Sequence, residues 1–200
     1  MKKITLCLFA LFTFSGVAFA QTPNVKYGAK AGLNFANISD LSGSSNKTGF
    51  HIGGVAEIFI NEKFSIQPEL LYSTQGAKYD VDIDFENIMV NAKSTIKLNY
   101  LNIPIMAKYY VMDGLSLQAG PQIGINLAAE QEVKALGQKM TVKIKDNTNA
   151  IDFGLNFGAG YELPVGVFFD ARYNLGLTKI IDEGETSKHR VFQVSIGYKF

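Results

Sequence analysis

Residues 151–163 read IDFGLNFGAGYEL, and their alternation decides the fold. Phe153, Leu155 and Phe157 occupy one side of the predicted strand, while the other side carries aspartate, asparagine and glycine. Alternation with period two predicts a β-strand with two different faces. Glycine weakens a strand on a solvated face, but in the crowded interior of a small closed sheet it leaves room for larger neighbours. The pattern therefore predicts a polar interior and an apolar exterior.

The same alternation recurs and predicts eight strands, which begin near residues 27, 50, 64, 96, 115, 151, 167 and 191. Connections after the second, fourth and sixth strands are short, whereas those after the other strands run from about a dozen to over twenty residues. Alternating short and long links are typical of a meander whose two rims face different compartments. The predicted fold is all-β, an eight-stranded antiparallel up-and-down transmembrane β-barrel.

Some positions are predicted to interrupt this regular pattern. On the fourth strand the apolar residues change from even positions 96, 98 and 100 to odd positions 101 to 109, which predicts a β-bulge near Tyr100-Leu101. Pro68 and Pro121 each remove a ladder donor from an apolar face, so local bulges are expected there too. Alternation over residues 80–84 predicts that the third and fourth strands continue beyond the membrane as a polar hairpin.

The N-terminus has the pattern of an export signal. Lys2 and Lys3 precede an apolar run, and Ala18-Phe19-Ala20 has the small-x-small form of a cleavage site. Residues 1–20 are therefore predicted to be a cleaved signal peptide, and residues 21–200 an outer-membrane β-barrel domain. Cys7 lies inside the apolar run, so the mature chain has no thiol for a disulfide or a metal site.

The charge balance excludes a nucleic-acid partner. Without Lys2 and Lys3, 17 basic residues face 18 acidic ones, and phosphate binding to nucleic acid requires a basic excess on one face. No later run reaches the roughly 18 apolar residues of a spanning helix.

Charged residues at inward positions predict a luminal network. Such charges are costly in a narrow interior unless they pair, and eight strands leave an interior that side chains can fill. The expected result is a salt-bridged plug. Its members are Lys30, Glu57, Glu69, Lys108, Asp152, Glu162, Asp170, Arg172 and Lys199.

The chain ends with VFQVSIGYKF, residues 191–200, a strand with one wholly apolar face. This strand is expected to pair with residues 26–35, because an open sheet edge cannot persist in lipid. The outward residues, with a terminal aromatic, resemble the signal read by the barrel-assembly machinery. They are Phe192, Val194, Ile196, Tyr198 and Phe200.

Several segments resemble the PorT-like outer-membrane β-barrel family of Bacteroidetes-type bacteria across residues 25–200. They are KAGLN at 30–34, QPELLYS at 67–73, YLNIP at 100–104 followed by KY at 108–109, GP at 120–121 and DARYNLGL at 170–177. The resemblance implies an eight-stranded barrel inserted by the outer-membrane assembly machinery. It implies little about activity.

No catalytic, cofactor or metal motif is evident. His51 is predicted to be luminal, His189 to lie in or beside the last long loop, and Ser195 to fill space inside. The acidic run at 80–84 fails the EF-hand pattern, because Phe85 and Asn91 stand where glycine and glutamate are required. The chain is therefore predicted to be non-enzymatic and to carry no cofactor.

Three functions remain open. The first is an integral outer-membrane barrel with a structural, adhesive or envelope-interaction role and a plugged lumen. The second is a narrow pore for small solutes, and the third is a soluble periplasmic ligand-binding barrel. The expected partners are outer-membrane lipid and lipopolysaccharide, the barrel-assembly machinery and an unknown protein that binds the long loops. Lys134, Lys139, Lys143 and Lys145 in one loop could bind lipopolysaccharide phosphates, but solvated cover is the favoured interpretation.

Overall fold

The computed structural model describes residues 24–39, 44–85, 88–135, 138–145, 148–180 and 188–200. The predicted signal peptide lies outside the described residues. Among the described residues no helix is long and apolar enough to cross a membrane. The strands are β1 Val25–Ile38, β2 Ser45–Asn61, β3 Phe64–Phe85, β4 Ile88–Met112, β5 Leu115–Ala135, β6 Gln138–Lys143, β7 Ile151–Glu162, β8 Val167–Gly176 and β9 His189–Lys199.

Eight of the strands form a closed antiparallel ring, as the sequence predicted. Each strand from β1 to β5 pairs with the next, β5 then pairs with β7, and β7, β8 and β9 continue in order. The predicted seam between the first and last strands is confirmed, with pairing from Gly28 opposite Lys199 to Ile38 opposite His189. The short β6 pairs only with β5 and stands outside the ring.

The two faces of the ring are arranged as the alternation predicted. On β2, Ile52 faces outward and is 54% exposed, whereas its neighbour His51 faces inward and is 1% exposed. The outward side is a belt of apolar side chains, and the interior holds most of the buried polar ones. A soluble ligand-binding barrel has the opposite arrangement, so this alternative is wrong. The belt is the surface that lipid hydrocarbon requires.

The two rims differ as predicted. Tight turns join β2 to β3, β4 to β5 and β7 to β8. Gly114 and Gly166 adopt φ of 78° and 89° in two of these turns, a left-handed conformation that favours glycine. At the other rim, β3 and β4 remain paired up to Phe85 opposite Ile88. The long connection predicted after the third strand is therefore a projecting hairpin, in agreement with the prediction for residues 80–84.

The β-bulge predicted near Tyr100-Leu101 on the fourth strand is wrong in its location. From Ala92 to Lys108 the even-numbered side chains of β4 point inward, so Leu98 and Tyr100 are buried inside rather than facing lipid. The register shift does occur at this height, but the extra residue belongs to β5, where Asn99 pairs with Ala128 and Tyr100 with Asn126. Leu127 is the bulged residue, and beyond it the faces of β5 are reversed.

The interior becomes apolar above this level. Ile38, Ala77, Ile96, Leu98, Tyr100, Ala129 and Ile180 form a buried hydrophobic cluster. Above the lipid belt the outer surface of a strand meets water, so apolar residues gain by facing inward. The outside of the strand is thus water at one height and lipid at another. This explains why the apolar residues of β4 change from even to odd positions although the strand itself keeps its direction.

The bulges predicted at Pro68 and Pro121 are also wrong. On either side of Pro68 the β2–β3 pairing keeps its register, and the β4–β5 pairing does so on either side of Pro121. Some ladder positions beside each proline are left unpaired instead. Strands held by a closed ring tolerate a missing donor without shifting, because their neighbours on both sides maintain the register.

Candidate functional site in the barrel interior

The middle of the lumen is filled by a cluster of four charged side chains, the central cluster, formed by Lys30, Glu69, Asp170 and Arg172. Arg172 donates two hydrogen bonds to the carboxylate of Glu69, at 2.7 and 2.8 Å. Lys30 lies 3.1 Å from Glu69 and 3.4 Å from Asp170, and Asp170 is 3.2 Å from Arg172. All four side chains are at most 3% exposed. Their charges sum to zero, as a buried group of ions requires.

A second group, the rim cluster, closes the lumen near the short turns and consists of Lys26, Glu57, Lys108, Glu162 and Lys199. Glu57 accepts from Lys199 at 2.5 Å and lies 2.9 Å from Lys108. Glu162 joins Lys199 at 2.8 Å to Lys26 at 2.7 Å. Lys26 was not among the predicted luminal residues, although its even number gives it the same parity as Lys30.

Of the nine residues in the predicted luminal network, the structure brings eight into these two clusters. Asp152 stands apart from them. Its carboxylate accepts a hydrogen bond from Thr178, and no ion pair joins it to a cation within the described part of the chain. Hydrogen bonding to a hydroxyl is a second way to satisfy a largely buried carboxylate.

A hydrogen-bonded group that the sequence analysis missed lies beside the central cluster. His51 contacts Asn34 through Nδ1 and Ser195 through Nε2, both at 2.8 Å. The Ser195 hydroxyl also donates to Asp170 at 3.2 Å. His51 and Ser195 pair with Gly32 from its two neighbouring strands, so they meet above a residue that has no side chain. The signal that could have identified this group is Gly32, an inward glycine on the strand between the inward residues His51 and Ser195.

Glycines create the space that these large side chains occupy. A Cβ atom on Gly32 would lie 2.6 Å from the His51 ring, and one on Gly158 would lie 2.9 Å from Cγ of Arg172. Real side chains do not approach so closely, so these two luminal glycines are each matched to a large polar neighbour.

His189 lies beside the last long connection, which is one of the two predicted positions: it is the first residue of β9 and is wholly buried. Its Nε2 lies 3.0 Å from the Tyr100 hydroxyl, and the two rings meet edge to face at 5.2 Å. His189 has the odd numbering of the inward residues on β9, so parity alone predicted its direction. Its ring forms part of the boundary between the polar lumen and the apolar cluster above.

The interior leaves little free space between the two clusters. A cavity there, bordered by Gln67, Lys108 and Arg172, measures about 10 Å³, about the volume that one water molecule requires. Below the rim cluster a recess of about 680 Å³ opens between the short turns, with Lys26, Glu162 and Lys199 at its wall. Of these two cavities, the wide one therefore lies at the rim and the small one lies between the clusters.

The predicted assembly residues lie on the outer face of β9. Phe192, Ile196 and Tyr198 are exposed, and Phe200 is 77% exposed at the end of the chain. The main chain of Phe200 exchanges two hydrogen bonds with Tyr27, at 2.8 and 3.2 Å. The last residue is therefore the lowest point of the seam that closes the ring.

Three comparisons agree with this architecture. A family model described as outer membrane protein beta-barrel domain matches residues 19–182. Neisserial surface protein A has a similar structure at 14% identity, with a TM-score of 0.53, covering 90% of this chain and all of that one. Ail, the attachment invasion locus protein of Yersinia pestis, is similar at 12% identity, with a TM-score of 0.52 over 88% of this chain and 98% of its own. No curated protein sequence matches the chain.

Proposed function

The chain belongs to the outer membrane protein beta-barrel domain family, and from this premise we propose that it is a plugged, non-enzymatic barrel with a structural, adhesive or envelope-interaction role. Membership of the family implies residence in the outer membrane. The narrower PorT-like assignment and export through a cleaved signal peptide, residues 1–20, are parts of the proposal.

The observation that carries the proposal is the central cluster. Its four side chains are buried, and each of the two cations contacts both acids. Because the side chains come from β1, β3 and β8, they link distant parts of the ring across the lumen. A hydrated ion moving through would have to separate pairs such as Glu69 and Arg172 in a confined, poorly hydrated space. Separating buried pairs leaves uncompensated charges, which is strongly unfavourable.

The absence of an enzymatic role is supported by the surroundings of the Ser195–His51 pair. Both side chains are buried, and their remaining polar contacts are to Asn34 and Asp170. The pair therefore serves to satisfy polar groups inside the plug, and no cofactor is required.

The proposed interaction surfaces lie outside the lumen. Outer-membrane lipid and lipopolysaccharide surround the apolar belt, and the barrel-assembly machinery reads the outer face of β9 during insertion. The projecting part of β3, β4 and β5, together with β6, extends beyond the belt and offers a surface to an extracellular protein. Nucleic acid is not among the proposed partners.

The test is conductance in a planar lipid bilayer combined with heat-modifiable migration in gels. The expected result is a folded, heat-modifiable barrel without steady conductance levels. The double variant Glu69→Ala/Arg172→Ala removes the central pair with no net change in charge and should produce current. A matched control, Glu62→Ala/Lys63→Ala, removes an acidic and a basic residue from a short turn and should remain closed.

Two results would contradict the proposal. Reproducible conductance of the unmodified protein, altered by Glu69→Gln or Lys108→Gln, would establish the narrow pore instead. Recovery of the protein from the soluble periplasmic fraction would refute its placement in the membrane.

A further inference from the structure

One face of the projecting sheet carries an unusual concentration of lysine. Three cross-strand rows cover this face, as the pairing of β3, β4, β5 and β6 shows. We call it the lysine face; its rows are Gly76–Lys97–Glu130–Lys143, Lys78–Thr95–Glu132–Thr141 and Asp80–Lys93–Lys134–Lys139. Six lysines and three acids give these twelve positions a net charge of +3, although the whole chain carries only +1.

Like charges stand directly opposite one another on this face. Lys134 pairs with Lys93 on one side and with Lys139 on the other. Opposed like charges destabilise a sheet, and the three acids of this face are too few to compensate its six lysines. Lys47 approaches from β2, with Nζ 3.1 Å from the carbonyl oxygen of Gln75. Partial burial, followed by repulsion from neighbouring lysines, lowers the pKa of Lys47.

Glu132 gathers three ammonium groups at the centre of the face. Lys97, Lys139 and Lys134 lie 2.5, 2.9 and 3.2 Å from its carboxylate. The three lysine side chains are 40 to 61% exposed, whereas that of Glu132 is 5% exposed. One carboxylate balances only one of the three cations, so this group of four residues carries a net charge of +2. Glu132 thus holds the three lysines together without cancelling their positive charge.

The lysine face points in the same direction as the lipid belt. On β4 the odd-numbered residues are outward both in the belt, at Ile105 and Tyr109, and above it, at Lys93 and Lys97. On β5 the bulge at Leu127 is what brings the even-numbered residues above it to the outside. Lys97 stands four residues above Leu101, about 13 Å along the strand. We place the polar headgroups of the outer leaflet at this height, because the outward residues of β4 change from apolar to charged between Leu101 and Lys97.

We propose that the lysine face binds the phosphate groups of phosphorylated lipid headgroups in the outer leaflet beside the barrel. Ammonium groups form charge-assisted hydrogen bonds to phosphate oxygens, and basic residues near an anionic lipid surface contribute cooperatively to attachment. A lipid source is favoured over a soluble polyanion because the face is directed sideways over the membrane rather than upward. The inference rests on the proposed function only for the placement of the barrel in the outer membrane.

The test is titration of the detergent-folded full chain with diphosphorylated lipid A, monitored by native mass spectrometry. The variant Lys97→Gln/Lys134→Gln/Lys139→Gln should bind the lipid at least tenfold more weakly, because each basic residue near such a surface contributes roughly fivefold. A second variant, Lys139→Gln/Lys143→Gln, changes only β6, which lies outside the ring, so barrel folding is preserved. It should also bind more weakly.

The matched control is Lys63→Gln/Lys179→Gln/Lys188→Gln, which removes the same charge away from the lysine face and should bind normally. An equal loss in this control, or unchanged binding in both lysine-face variants, would overturn the proposal. So would equal binding of the same glycolipid without its phosphates, or preferential binding of a soluble sulfated polysaccharide. Heat-modifiable migration is recorded in parallel, and its absence from the unmodified protein would refute the membrane placement instead.

Discussion

Replacing Glu69 with glutamine should strongly destabilise the barrel. Glu69 is wholly buried and accepts two hydrogen bonds from Arg172 while contacting Lys30 at 3.1 Å. Glutamine has nearly the same shape but no charge, so Asp170 alone would face two buried cations. Removing one partner from a buried ion pair costs about 3–5 kcal/mol. Because Asp170 remains within 3.4 Å of both cations, the lower end of that range is expected.

The assay is reversible urea unfolding in lipid vesicles, with the folded fraction read from migration of unheated samples on gels. The control variant Glu62→Gln removes an acid from an exposed turn and should change the unfolding free energy by less than about 0.5 kcal/mol. A double variant, Glu69→Gln/Lys30→Met, leaves the neutral pair of Arg172 and Asp170. It should recover part of the lost stability, since the uncompensated charge is removed.

A loss smaller than about 1 kcal/mol in Glu69→Gln would refute this reasoning, because it would show that the central cluster is hydrated or rearranges freely. A double variant less stable than Glu69→Gln would do the same, since the loss would then follow packing volume rather than charge balance.

Three further outcomes are expected. Deleting Phe200 removes the two main-chain hydrogen bonds to Tyr27. It should reduce the heat-modifiable fraction in outer membranes more than a substitution in any long loop does. Normal insertion of this variant would contradict the role assigned to the last strand. Deleting Leu127 removes the bulge while leaving both faces of β5 in place, so a heat-modifiable barrel should still form. Deleting Ile123 instead reverses the faces beyond it and should prevent folding. Equal behaviour of the two deletions would refute the assignment of Leu127 as the bulged residue. Hydrogen bonds from Lys97, then Lys139, lower the pKa of Glu132 to about 2, so its ionised form is favoured by folding. Its contribution is present above the unfolded pKa of about 4.3 and is lost as the pH falls toward 2; a carboxylate carbon that titrates near pH 4 in NMR spectra would contradict this.

Much of the fold could be predicted because alternation is a local property. The directions of His51, Glu69 and Arg172 follow from parity, and the seam follows from the requirement that no edge remain open in lipid. The errors arose where the surroundings change along one strand. Tyr100 is apolar and faces inward because the outside of β4 at that height is water, and no residue in the sequence marks the end of the lipid.

The sequence by itself determined the number of ring strands, the apolar exterior, the polar interior and the inward direction of eight of the nine charges in the two clusters. The tertiary structure alone decided which charges meet, because pairing depends on the stagger of strands far apart in the chain. Glu69 and Arg172 are separated by 103 residues and meet only after the ring closes. The lysine face likewise depends on a single extra residue, Leu127, since one bulge reverses every side chain beyond it.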